Sequence, residues 1–115
     1  MEHDAYRRGL ELFNRTEFFE AHEVLEDVWR AAPAGEKQFL QGLIQVAVGL
    51  HHHSTGNVAG ACSLLQRASR NLRDYPEGFG GIQLNALLDA IAKWRQALLE
   101  NTPLPPPPRI EASQC

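Results

Sequence analysis

The stretch 36–54 constrains this chain more than any other. Read as a helix, it places Phe39, Leu40, Leu43, Ile44, Val46, Ala47, Val48 and Leu50 over well more than half of its circumference. A helix apolar nearly all round has to be enclosed by other elements, because a single neighbour covers only one stripe. Its polar positions, Gln41, Gln45 and His52, form one narrow line. Gly42 and Gly49, seven apart, fall on one side, where each costs roughly 1 kcal/mol of helix propensity. Such a pair implies a neighbouring helix that comes close on that side.

The enclosing elements are helices too. No stretch alternates with the period of two of a half-buried strand, whereas helical periodicity runs through the first hundred residues. The spacing predicts helices over about 3–14, 17–32, 36–54, 57–73 and 82–101. Turns are expected at Asn14-Arg15-Thr16, with Thr16 as an N-cap, at Ala32-Pro33-Ala34-Gly35 and at Ser54-Thr55-Gly56-Asn57. A longer loop is expected over Asp74 to Gly81. Pro33 and Pro76 are the prolines of residues 1–101, and the rest crowd into Pro103–Pro108. We therefore expect one all-helical domain over 1–101 and a Pro-rich extended or disordered tail over 102–115. The fold class is all-α, a compact five-helix bundle or orthogonal helical array. It carries a weak helix-turn-helix repeat: a shift of 40 residues sets Phe18 on Val58, Ala21 on Ala61 and Leu25 on Leu65.

Length and charge narrow the function. A chain of 115 residues holds one domain. Eleven basic against 14 acidic side chains give a net charge of −3, the wrong balance for a nucleic-acid binder. Cys62 and Cys115 offer no disulfide framework, which suits a reducing compartment. The start Met1-Glu2-His3-Asp4 reads as neither a signal nor a transit peptide, and no apolar run approaches the ~18 residues of a membrane span. The expectation is a small cytoplasmic protein, monomer or homodimer, with no nucleic-acid or membrane role.

On helical wheels the second helix buries Phe18, Ala21, Leu25, Val28 and Trp29, with Glu20, Glu23, Asp27 and Arg30 opposite. The fourth turns Val58, Ala61, Cys62, Leu65, Ala68 and Leu72 inward and carries Arg67, Arg70 and Arg73 on a polar stripe. The outer faces of the two helices are thus acidic and basic.

Chemistry-bearing residues gather where the second and third helices meet. His22 lies inside the apolar arc with Glu26 one turn on, and His51 falls in the apolar arc of the third helix. Helical spacing aims His22 and Glu26 to the same side. Such a group can act as an acid/base pair, or can satisfy itself structurally with the Trp29 indole as a further donor. No metal is assigned. If one were held, His22, Glu26 and His51 would supply donors suited to zinc, iron or manganese. The string His22-Glu23-Val24-Leu25-Glu26 has glutamate where a zinc-protease helix needs its second histidine, which argues against that enzyme. Successive residues project 100° apart, so His51, His52 and His53 cannot all face one ion. Gly78-Phe79-Gly80-Gly81 lacks the preceding strand and the lysine of a phosphate-binding loop.

The blocks Phe19-Glu20-Ala21-His22-Glu23-Val24-Leu25-Glu26-Asp27-Val28-Trp29-Arg30 and Phe39-Leu40-Gln41-Gly42-Leu43-Ile44-Gln45-Val46-Ala47, followed by Leu50-His51, resemble domain-of-unknown-function family 309 over about residues 5–73. The resemblance implies a compact all-helical fold and draws attention to His22, Glu23, Glu26, Trp29, Gly42, Gln45 and His51. It implies no reaction.

The reading that follows is a binding module with a polar site between the second and third helices. His22, Glu23, Glu26, Trp29, Gln45 and His51 are its candidate residues, and a small polar ligand or a protein is its partner. No cofactor or catalytic residue is assigned. One alternative is a metal-dependent or acid/base hydrolase-like enzyme using His22, Glu26 and His51. The other is a protein–protein interaction scaffold whose groove faces engage a partner, or whose segment Pro105–Arg109 docks into an aromatic groove.

Overall fold

Each expected helix forms in the computed structural model, which describes residues 4–113. In chain order they are α1 (Asp4–Asn14), α2 (Phe18–Ala31), α3 (Ala34–Ser54), α4 (Val58–Leu72) and α5 (Leu84–Glu100), with one 3-10 turn at Phe79–Gly81 before α5. The architecture is all-α, and among the described residues the sole β-type pairing is an isolated bridge between Ile82 and Ala112. Each helix packs on the next along the chain, and α3 makes the two broadest contacts, with α4 and with α2.

Enclosure of α3 is nearly complete, with Val48 alone of its expected apolar positions left half-buried. Phe39, Leu40, Leu43, Val46 and Ala47 have no exposed surface, and Ile44 and Leu50 almost none. The close approach implied by the two glycines is made by α4. A Cβ added at Gly42 would lie 2.6 Å from Leu72 Cγ, and one at Gly49 would lie 3.3 Å from Leu64 Cβ. From α2 the core receives Ala21, Leu25 and Val28, and from α4 it receives Ala61, Leu65, Ala68 and Leu72. Two expected core positions on α4 differ. Val58 is 45% exposed and Cys62 is a half-buried free thiol. Val58 is the first residue of α4, and burial on that helix begins at Ala61.

Helix ends explain how the chain reverses. Thr16 does not N-cap α2, and that position belongs to Glu17 without a side-chain cap. Thr16 instead closes α1 in the left-handed region, φ 63°. Its N–H donates to Phe13 O, and the Glu17 N–H donates to Leu12 O, the paired bonds of a Schellman motif. Gly56, φ 88°, closes α3 in the same way, with its N–H on His53 O and that of Asn57 on His52 O. Asn57 then caps α4 by accepting from the Gly60 N–H at 2.9 Å. Between α2 and α3, Ala32 is extended (ψ 150°), as a residue before proline prefers.

The loop between α4 and α5 is anchored by aromatic rings. Phe79 packs on Phe39 and Tyr75 with centroids 4.9 and 4.5 Å apart. The Tyr75 hydroxyl donates to Gly35 O and accepts from the Phe39 N–H, which ties the loop to the start of α3. Buried Tyr6 donates to Gly80 O at 2.8 Å. Beyond Asn101 the chain turns back over the bundle, and Pro108 and Ile110 are buried there.

Two outcomes follow. Thr16→Gly removes a β-branched residue from the left-handed region, a conformation costing ~1–2 kcal/mol for a side chain bearing Cβ. Part of that gain is offset by the looser unfolded chain. Urea unfolding should show a net gain of about 0.5–1 kcal/mol, whereas Gly56→Ala should lose stability. Burial, with the negative charge of Glu36 as a lesser cause, pushes the Tyr6 phenol well above its ordinary range. In the unfolded chain it ionises near pH ~10, so its contribution is intact below that pH and is lost as pH rises towards the folded value. Unfolding free energy should then fall by up to ~1.4 kcal/mol per pH unit above pH ~10, and Tyr6→Phe should flatten that slope.

Candidate functional site

Because Ala32 and Pro33 connect α2 to α3 tightly, the two helices run antiparallel, and the first turns of α2 face the last turns of α3. Phe19 projects from the start of α2, and its ring meets His51 from the end of α3 at a centroid distance of 5.2 Å. The same ring meets His22, one turn further along α2, edge-on at 5.0 Å. Phe19 nonetheless keeps 46% of its surface in solvent. His22 Nδ1 lies 2.7 Å from Phe19 O, and since a carbonyl only accepts, Nδ1 carries the hydrogen. Its Nε2 is 3.8 Å from Glu26 Oε2, with the two side chains 21% and 37% exposed. The cluster is a surface platform of three rings with a carboxylate at its rim.

The candidate residues divide into separate places. His22 and His51 meet at Phe19, and Glu26 stands beside His22. Glu23 is exposed. Trp29 stands two turns beyond His22, about 10 Å along the axis, where its indole face receives Lys37 Nζ at 4.2 Å. The same ammonium donates to Trp29 O at 2.8 Å, so the tryptophan pins the α2–α3 connection and does not join the histidines. Gln45 faces α4, where its Oε1 accepts from Asn71 Nδ2 at 2.8 Å. The family resemblance named Trp29 and Gln45 together with the histidines, and the structure turns them to Lys37 and Asn71 instead.

His22, Glu26 and His51 do not form a metal-binding group. Among the described residues no three His, Cys, Asp or Glu side chains are arranged to hold an ion, and here a phenylalanine ring packs against both imidazoles. The histidine tract fans out as its spacing requires. His51 turns to Phe19, His52 to the Asn57 amide at 3.4 Å, and His53 to Trp94 of α5, edge-on at 5.1 Å. Sequence reasoning missed Phe19 and Lys37. Phe19 was signalled by lying three residues before His22, off the buried stripe, where a large aromatic has no packing reason to be.

Three clefts of the described residues lie elsewhere. One of about 750 Å³ opens on the outer face of α1, along Asp4, Arg7, Arg8 and Glu11. Another, of about 450 Å³, runs between α1 and the returning C-terminal segment. A third, of about 300 Å³, lies beside the end of α5. None of the three is lined by His22, Glu26 or His51.

Phe19 makes the two histidines interdependent. His22→Ala and His51→Ala should therefore be non-additive in stability by about 0.5 kcal/mol or more, and the coupling should vanish in a Phe19→Ala background. Urea unfolding of the full cycle checks this, and strict additivity would contradict the shared platform.

Comparison with known proteins places this geometry in a family. The chain is 33% identical over 76 residues to an uncharacterised protein of Aquifex aeolicus (strain VF5), covering 65% of this chain and 23% of that protein. It is 41% identical over 71 residues to the uncharacterised protein YpuF of Bacillus subtilis (strain 168), covering 60% of this chain and 41% of that one. The chain thus spans less than half the length of each of these two relatives. The family model described as domain of unknown function, DUF309, matches residues 6–64, which carry α1, α2, α3 and the first turns of α4. The chain belongs to the DUF309 family.

Proposed function

We propose that the chain is a binding module that holds a protein segment on the α2–α3 platform. The observation that carries this reading is Phe19, whose ring is packed against two imidazoles yet is left nearly half in water. Fully burying a phenylalanine is worth ~1.5–3 kcal/mol, and much of that gain is still open to a partner. Aromatic side chains held rigidly at a surface are the usual anchors of protein interfaces. The rim supplies the polar part of recognition. Glu26 accepts hydrogen bonds, and the imidazole of His51 donates or accepts. A partner segment that offers an apolar side chain to Phe19 and backbone amides to this rim matches both features.

An acid/base enzyme built on the same residues is the weaker reading. General acid/base work asks His22, Glu26 and His51 to converge on one reacting atom, and the Phe19 ring packs against both histidines. On the same footing as the binding reading, we place the domain in the cytoplasm, where the free thiol of Cys62 stays reduced. No helix among the described residues is long and apolar enough to cross a membrane.

Selection of random dodecapeptides on the immobilised full chain tests the reading. Enriched peptides should bind Phe19→Ala at least about tenfold more weakly, a loss of ~1.4 kcal/mol, while Gln45→Ala should leave them unchanged. Peptides that bind Phe19→Ala as well as the parent, or no enrichment at all, would exclude the platform as the recognition surface.

A further inference from the structure

The Pro-rich segment after α5 is held as a peptide ligand is held. The Trp94 indole N–H donates to Pro106 O at 2.9 Å. The Asn14 side chain grips the backbone of Ile110 from both sides, with Oδ1 accepting from its N–H at 2.8 Å and Nδ2 donating to its carbonyl at 2.9 Å. Gln83 does the same for the next residues. Its backbone N–H donates to Glu111 O, and its Nε2 donates to Ala112 O at 2.9 Å. The Ser113 N–H closes the series on Gly81 O. All of these bonds reach backbone atoms of the segment, to which its own side chains add buried Pro108 and Ile110, the latter 3% exposed, and a bond from Arg109 Nη1 to Asn14 O at 3.2 Å. Backbone pairing supplemented by a few apolar pockets, with an indole N–H on a proline carbonyl, is how extended and proline-rich peptides are recognised.

We propose that the seam between α1 and α5 is an exchangeable peptide site, and that its partner is the same segment of a second copy of this chain. Residues 105–113 of one chain then seat in the seam of another, and the exchange is reciprocal. Every contact made within one chain is reproduced between two, so the exchange costs little beyond association itself. The hinge is Asn101–Leu104. Asn101 sits in the left-handed region, φ 55°, and redirects the chain back along α5. Extension at that residue sends the segment outwards instead. In one chain the tether holds the segment at a high effective concentration, so hinge length decides between the closed and exchanged forms. This inference is independent of the Phe19 platform, since the two surfaces share no residue.

Shortening the hinge tests it on the full chain. From Asn101 back to Trp94 is about 10 Å along α5. Removal of Thr102, Pro103 and Leu104 leaves only Pro105 between Asn101 and Pro106, a reach of about 7 Å after a reversal. The shortened chain should self-associate at least about tenfold more tightly than the parent in sedimentation at micromolar concentration. Trp94→Phe, which deletes the indole donor, and Asn14→Ala should each return it towards monomer. A second arm uses full-length Ile110→Asp, whose own segment is unseated, with a fluorescein-labelled peptide of residues 103–113 as probe. Saturable anisotropy should appear, and unlabelled peptide should compete. A shortened chain that keeps its helical circular dichroism and stays monomeric would overturn the proposal, as would a folded Ile110→Asp that takes no peptide. Loss of helix in both variants would also overturn it, because the segment would then be an inseparable part of the core.

Discussion

An apolar helix that has to be covered on nearly every side is the constraint on which the rest of this molecule depends. Phe39, Leu40, Leu43, Val46 and Ala47 of α3 are wholly removed from water, and one neighbour cannot do this alone. Burying side chains of this kind is the dominant favourable contribution to folding. The α2 helix covers one flank of α3 and α4 covers the other. Gly42 and Gly49 let α4 approach until its leucines touch the α3 backbone. The glycines lower helix propensity, and the closer packing offsets that loss.

Antiparallel reversal follows from how the helices end. Three helices stop at a residue with positive φ, at Thr16, Gly56 and Asn101, and each turns the chain back on itself. The α2–α3 connection is tighter still, through Ala32 and Pro33. With so short a link, the start of α2 must lie beside the end of α3, and Phe19 meets His51 for that reason. Lys37 clamps the other end of the pair, over Trp29. The platform and the clamp are two ends of one helical hairpin, held about three turns apart.

Helical periodicity made the fold legible. The all-α class, the five elements, the central place of α3 and the buried faces of α2 and α4 were readable from the positions of apolar residues, because one period governs both local structure and burial. Thr16 was misread because a threonine before a helix ordinarily caps it. Here the demand for closing α1 came first, and the same residue was placed in the left-handed region. Val58 was misread because a wheel has no ends: it assigns a face along the whole helix, although burial on α4 begins only at Ala61.

The candidate site was half legible. The structure brings His22 and His51 to the Phe19 ring and sets Glu26 beside His22, proximities that follow from spacing along α2 and a short turn to α3, both local facts. Phe19 was not singled out, and Trp29 and Gln45 were placed in the same site although they face other partners. A wheel gives direction about one axis and says nothing of height along the neighbouring helix or of which neighbour lies there. The Pro-rich segment shows the same limit more plainly. Its composition excludes a helix, and only the tertiary structure shows Asn14, Gln83 and Trp94 meeting its backbone. Sequence alone thus determined which surfaces must be buried, because hydrophobic burial is written in the local period. Which polar groups meet was decided by the tertiary structure, because hydrogen bonds depend on distances of a few tenths of an ångström between residues as far apart in sequence as Asn14 and Ile110.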